Sequence, residues 1–299
     1  MIRTRSLSRV APALIAGSLI FGFAACGGDD DDDGAAGDTT ATTAAASEGT
    51  EATEGTEATE GTEGGAAGEA SVEAFCQAEL AAEAAANSDD PASAGPAFEA
   101  LVAASPEDIK PAVEQVIANA ETGPGSPEFD EPYAEMIGFV KDNCGFGEIN
   151  VTAEDYKYTG LEAEYPAGPT VVTLTNEGTE VHEMIVLRVN DDVTETAAEI
   201  VALPEEEAFS KVALRGVAFA FPGTEGFTST DLDPGRYIAV CFIPQGATPE
   251  VMQQLMESGE GPPGEGSAPE GSAPEGSGPD VELGPPHHTQ GMIQEFTVA

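Results

Sequence analysis

The chain has three histidines, His182, His287 and His288, all in its C-terminal half, and four cysteines, Cys26, Cys76, Cys144 and Cys241. Imidazole and thiolate are the side chains of metal ligation and of nucleophilic or acid–base catalysis near neutral pH. The spacings exclude several of those chemistries. His182 is followed by Glu183, but the fourth residue after it is Val186, so the paired-histidine helix of zinc proteases is missing. No Gly-rich phosphate loop and no Gly-x-Ser-x-Gly elbow occurs. No two cysteines form a CxxC pair, which removes dithiol redox chemistry.

The contexts of the cysteines differ. Arg3, Arg5 and Arg9 precede an apolar run from Val10 to Phe23, and Ala24-Ala25-Cys26 closes it. That is the layout of an export signal, and the run is shorter than the roughly 20 residues a membrane-spanning helix needs. Small residues directly before a cysteine resemble the lipobox of bacterial lipoproteins, with Phe23 where the usual Leu stands. The resemblance implies that Cys26 is acylated and becomes the N-terminus, with cleavage and free secretion as the alternative. A run of five acids, Asp29 to Asp33, and a Thr-Glu-Gly/Ala repeat follow up to about residue 70. Like charges and glycines without apolar periodicity make an extended tether, roughly 35–40 Å across.

Cys76 and Cys144 bracket a helical region. Val72, Phe75, Cys76 and Leu80 have helical spacing behind Ser71 as N-cap. Phe98, Leu101 and Val102 suggest a second helix. Ser105-Pro106-Glu107-Asp108 opens a third, with Ile109, Val113, Val116 and Ile117 on its apolar face, and Tyr133, Met136, Ile137 and Val140 mark a fourth. A disulfide between Cys76 and Cys144 closes this exported bundle and is worth roughly 4 kcal/mol by chain entropy. Cys241 is then unpaired: it is inertly buried, bridges two chains, or binds a metal.

From Ile149 the periodicity shifts to 2. Strands are expected over Thr170–Thr175, Glu183–Val189, Phe227–Leu232, Arg236–Ile243 and Ile293–Val298, with a helical stretch from Thr194 to Val212 broken at Pro204. His182 opens one strand, Cys241 lies near the end of Pro234-Gly235-Arg236-Tyr237-Ile238-Ala239-Val240-Cys241, and His287-His288-Thr289-Gln290-Gly291-Met292 precedes the last. His, then Cys, His and Met in that order resembles the type 1 copper site of the cupredoxin family, over about residues 148–299. The resemblance implies an antiparallel Greek-key sandwich holding one copper ion on His182, Cys241 and His287, with Met292 as weak axial ligand. His287 reproduces the His-x-x-x-Gly-Met turn, and His288 is the alternative. Such a set suits both copper states: sulfur favours Cu(I) and imidazole tolerates Cu(II). One departure stands out. Cys241 and His287 are 46 positions apart, separated by an expected helix, Pro249–Met256, and a polar repeat over 264–277. Because loop closure costs only about 0.6 kcal/mol per doubling of length, the site survives this insert if both of its ends are anchored.

Charge narrows the function classes. There are 55 acidic and 10 basic residues, and three of the ten lie in the signal segment. That balance excludes direct binding to nucleic acid or bare anionic lipid. The expected organisation is α+β in two domains: signal 1–25, tether 26–70, a disulfide-closed helical bundle 71–147, and a β-sandwich 148–299 with an insert at 247–285. The function it implies is an extracytoplasmic copper protein on the outer face of the cell membrane, held by lipid on Cys26. It carries one electron or holds copper, exchanging with a protein partner. The alternative is a metal-free interaction module. An enzyme is not expected, because a lone type 1 site leaves no place for substrate and the His-x-His pairs of multicopper enzymes are missing.

Overall fold

The computed structural model describes residues 70–88, 90–120, 122–258 and 283–299. The signal segment, Cys26, the tether up to residue 69 and the polar repeat over 264–277 lie outside them. Four helices come first: α1 (Val72–Ala86), α2 (Pro91–Ala104), α3 (Lys110–Ala118) and α4 (Pro127–Asn143). Ser71 caps α1 as expected, its hydroxyl accepting from the Ala74 N–H at 3.2 Å. Ser105 does not open α3. It is the C-cap of α2, buried, and its hydroxyl donates to the Leu101 carbonyl at 2.6 Å. Pro106 instead starts a turn in which the Lys110 N–H reaches the Pro106 carbonyl, and α3 follows. Cys76 and Cys144 form the expected disulfide, with Cα atoms 5.6 Å apart across 68 positions.

The remainder is a two-layer β-sandwich. Its strands are β1 (Gly147–Glu154), β2 (Lys157–Thr159), β3 (Glu164–Tyr165), β4 (Gly168–Asn176), β5 (His182–Val189), β6 (Val212–Ala220), β7 (Glu225–Leu232), β8 (Gly235–Val240) and β9 (Ile293–Val298). One sheet has the order β2-β1-β4-β7 and the other β3-β9-β8-β5-β6. Both sheets are mixed rather than wholly antiparallel: β1 runs parallel to β4 with Ile149 beside Val172, and β3 runs parallel to β9. Between the sheets lies a core that includes Ile149, Leu174, Met184, Val186, Tyr237, Ala239 and Phe296.

The two central strands lack clean alternation because each is covered on both faces. In β4, Val172 and Leu174 enter the sandwich core, while Val171 joins the helical core of Phe75, Leu101, Val113, Ile137 and Val140. In β5, Met184 and Val186 face the sandwich, while Ile185, Leu187 and Val189 pack outward against Ala197 and Ile200. Those two residues belong to α5 (Ala197–Val201), closed by a Thr196/Glu199 capping box; α6 (Glu205–Phe209) follows Pro204. The expected helical stretch is therefore two short helices, and its end at Val212 is already β6. The strand β6 is only half-buried over Val212–Arg215, which removes the alternation that would reveal it. At Gly216 the sheets approach closely: a Cβ there would lie 2.6 Å from the Thr228 hydroxyl.

Candidate metal centre

The strands bring His182, Cys241 and His287 to one end of the sandwich. His182 is the first residue of β5. The loop before it is pinned by buried Asn176, whose amide donates to the carbonyls of Glu180 (2.8 Å) and Ala220 (2.9 Å) and accepts from the Gly178 N–H (2.8 Å). Cys241 follows β8 directly rather than lying within the strand. Its N–H donates to the Met292 carbonyl (3.1 Å) and its carbonyl accepts from the His288 N–H (3.0 Å). His287 opens a 3-10 turn, His287–Gln290. Its N–H donates to the Ile243 carbonyl (2.8 Å), and its own carbonyl accepts from Met292 N–H (3.2 Å). Gly291, at φ 128°, lets the chain turn out of this helix into β9. The segments around 241–243 and 287–292 are thus zipped together.

The same zipper answers the question of the insert. Pro244 and Pro286 form an antiparallel bridge, the Gln245 N–H reaches Pro285, and the Gly284 N–H reaches Gln245. Val181 N–H donates to Ala247, and Met252 in α7 (Pro249–Ser258) is buried. Both ends of the insert are anchored within a few residues of the site.

His182, Cys241, His287 and Met292 are each fully buried. His182 Nδ1 lies 3.1 Å from His287 Nδ1, and Cys241 Sγ lies 3.4 Å from the same His287 atom. The donor atoms of the three residues all fall within 4.8 Å of one another. First-row ions bind imidazole at about 2.0 Å and thiolate at about 2.3 Å. Spread trigonally, such donors stand roughly 3.5–3.8 Å apart, so the two contacts to His287 Nδ1 need to open by only a few tenths of an ångström. Met292 is joined by backbone to both Cys241 and His287 and packs in the same core as the thiol. His288 is outside this group: its ring lies against Phe242 at 5.0 Å. The histidine grouped with His182 and Cys241 is that of the His-x-x-x-Gly-Met turn.

The outer nitrogens of the two rings face carboxylates. His182 Nε2 donates to Asp155 Oδ1 (3.3 Å) and His287 Nε2 to Glu180 Oε2 (3.0 Å). Burial alone would raise the Asp155 carboxyl. The Thr179 N–H and hydroxyl, the Glu180 N–H and His182 outweigh it and hold Asp155 below its usual range. With both Nε2 atoms donating, the two Nδ1 atoms face each other at 3.1 Å, a spacing that a proton on one ring or a cation held by both satisfies. Burial, and for His182 also the neighbouring ring, makes both imidazoles harder to protonate than usual. Burial and the Glu183 carboxylate push the Cys241 thiol well up. Two imidazoles that resist taking up protons and turn their Nδ1 atoms toward a buried thiol suit a cation that displaces the thiol proton. Two imidazoles, one thiol and a thioether fit copper on the chemistry of the donor set.

Asp155, Glu180 and Tyr156, whose ring lies 5.0 Å from that of His287, were not singled out by sequence. They are loop residues in a chain with 55 acids, and nothing in their spacing separates them from the rest.

No protein-family model matches the chain, and no curated protein does. Solved structures that match part of the chain include a dithionite-reduced auracyanin from Roseiflexus castenholzii. It is 18% identical, covers 51% of this chain and 96% of that one, and gives a TM-score of 0.27. Auracyanin A, a "blue" copper protein from Chloroflexus aurantiacus, is 19% identical over 35% of this chain and 93% of its own, with a TM-score of 0.25. The McoA multicopper oxidase of Aquifex aeolicus is 10% identical, with a TM-score of 0.24; the match takes 52% of this chain but 29% of the oxidase.

Proposed function

We propose that this chain binds one copper ion between His182, Cys241 and His287, with Met292 behind, and carries single electrons. The observation that supports this most is the convergence of two Nδ1 atoms and one thiol, all fully buried, at 3.1 and 3.4 Å. Copper bound there would supply a Cu(II)/Cu(I) couple, and the Irving–Williams order favours it over zinc on the same donors. What the protein contributes is rigidity. The ligand turns are tied to each other and to β8 and β9 by backbone hydrogen bonds, so the donors are held in nearly one place in both oxidation states.

The basic start, short apolar run and Ala24-Ala25-Cys26 support lipid attachment through Cys26 on the outer face of the cell membrane. An acidic chain held there would meet a basic redox or copper-exchange partner. The test is a redox titration of the copper-loaded full chain. One electron should be taken up and released reversibly at one copper per chain. Retention of copper with no reversible couple would leave a holder, and failure to retain copper with Cys241 reduced would sink both roles. Mass spectrometry of the mature protein should find acyl mass on Cys26, and its absence from a processed chain would refute the anchor.

A further inference from the structure

We infer that Glu180 is a positioning residue of the metal centre, one carboxylate that fixes the His287 ring and ties the long insert to it. This rests on the copper reading above. Glu180 Oε2 accepts from His287 Nε2 (3.0 Å) and from the Gly246 N–H (2.8 Å), and Oε1 accepts from the Tyr156 hydroxyl (2.8 Å). Three separate segments therefore meet on one side chain: the ligand turn at 287, the residue that leads into the insert, and the turn between β1 and β2. Tyr156 occupies the left-handed region at φ 65°, a conformation an L-residue holds only when its surroundings impose it. Its ring contact with His287 and its bond to Glu180 are such surroundings.

Glu180 is itself held in place. Asp155 accepts from the Thr179 N–H and hydroxyl (both 2.8 Å) and from the Glu180 N–H (3.3 Å), while taking the outer nitrogen of His182. Gly178 permits this approach: a Cβ there would stand 2.4 Å from Asp155 Oδ1 and 2.8 Å from His182 Nε2. Asp155 thus orders the loop that presents Glu180, and Glu180 orders His287. An imidazole whose outer N–H faces a carboxylate is a stronger donor, and its Nδ1 is kept inward. A negative charge beside a ligand also favours the more positive metal state. Glu180 should therefore hold Cu(II) in preference to Cu(I).

The test uses the full chain with Glu180→Gln, Tyr156→Phe and, as control, Glu177→Gln, which removes the same charge from an exposed position three residues away. Copper affinity in both states, reduction potential and ring 15N NMR of the copper-free protein are measured. Gln offers one acceptor oxygen where three donors converge, so Cu(II) affinity should fall about 10–100-fold. Cu(I) affinity should fall less, and the potential should rise. Tyr156→Phe should move both in the same direction but less, and Glu177→Gln should leave both near wild type. In the copper-free protein the His287 Nε2 proton should be protected from exchange in wild type and lose that protection in Glu180→Ala. Equal potentials and affinities for wild type and folded Glu180→Gln would overturn the inference, as would equal shifts in Glu177→Gln. The NMR arm needs no metal, so a protected proton in a chain that binds no copper would refute the function and spare the positioning role.

Discussion

Carboxylates in two regions of this molecule meet opposite surroundings: Asp155 and Glu180 keep part of their solvent exposure, and Glu79 has none. At the metal centre, Asp155 faces four donor groups and Glu180 three. In the seam between α1 and β7, Glu79 is fully buried and neither of its oxygens has a hydrogen-bond partner; the Ser229 hydroxyl beside it is unpartnered too. One turn along, Glu83 takes the Tyr133 hydroxyl (2.7 Å) and the Thr228 hydroxyl (3.2 Å). Burial, then the neighbouring Glu83, raises Glu79 to about 8, whereas donors hold Asp155 low. Burial acts in the same direction on both acids but more strongly on Glu79, which is fully buried, than on Asp155. The two acids part because both influences differ: Glu79 is fully buried without donors, and Asp155 is partly exposed with four donors aimed at it. The two regions also differ in closure: a disulfide locks the helices, while hydrogen bonds and, on our reading, a metal close the far end of the sandwich.

The largest expected effect breaks the covalent closure. Replacing Cys76 and Cys144 by Ser should lower stability by about 4 kcal/mol in chemical denaturation. Copper uptake should persist in the fraction that folds, since neither cysteine is in the metal group. If copper is lost while the sandwich stays folded, the two closures are not separate.

Next comes Glu79→Gln. A carboxyl whose folded value stands above its ordinary 4.5 binds a proton in the fold that the unfolded chain releases first. Its contribution is complete at low pH, declines as pH rises from about 4.5 to about 8, and is gone above that. The Gln variant has no proton to lose. Its stability should vary less over this window and exceed wild type at higher pH by on the order of a few kcal/mol. Parallel pH profiles for the two proteins would show that Glu79 finds donors after all.

Gly178→Ala sharpens the comparison at the metal end. Its Cβ meets Asp155 and His182, both already fixed by hydrogen bonds, so a loss of about 1–3 kcal/mol is expected. Copper affinity should fall with it, and unchanged affinity would mean that the loop yields freely. His288→Ala should have the smallest effect, because only its backbone N–H reaches Cys241, and Ala keeps that bond. Loss of copper in this variant but not in His287→Ala would invert the ligand assignment.

Much of this was legible in the residues. The cysteine pair followed from helical periodicity between two cysteines, and the ligand order from strand ends with few histidines to choose among. Helix α7 was read from Pro249, with its apolar residues beyond. Illegible parts have physical causes. Strand β6 carries Ala and Gly where a fully covered strand would carry large apolar residues, so its half-buried start hides its period. The parallel pairing of β1 and β4 depends on contacts distant in sequence, which no local pattern encodes. Ser105 looked like an N-cap because it precedes Pro-Glu-Asp, yet its hydroxyl turns back to Leu101. Asp155 and Glu180 matter through what a folded loop places beside them.

The most direct measurement is the absorption spectrum of the full chain with Cys76–Cys144 intact and the Cys241 thiol free, and of Cys241→Ser, each with one equivalent of Cu(II). Wild type should turn intensely blue through sulfur-to-copper charge transfer, and Cys241→Ser should show no such band at the same copper content. A wild-type chain with Cys241 reduced and no sulfur band, or a band that survives in Cys241→Ser, would contradict a copper centre built on Cys241, His182 and His287.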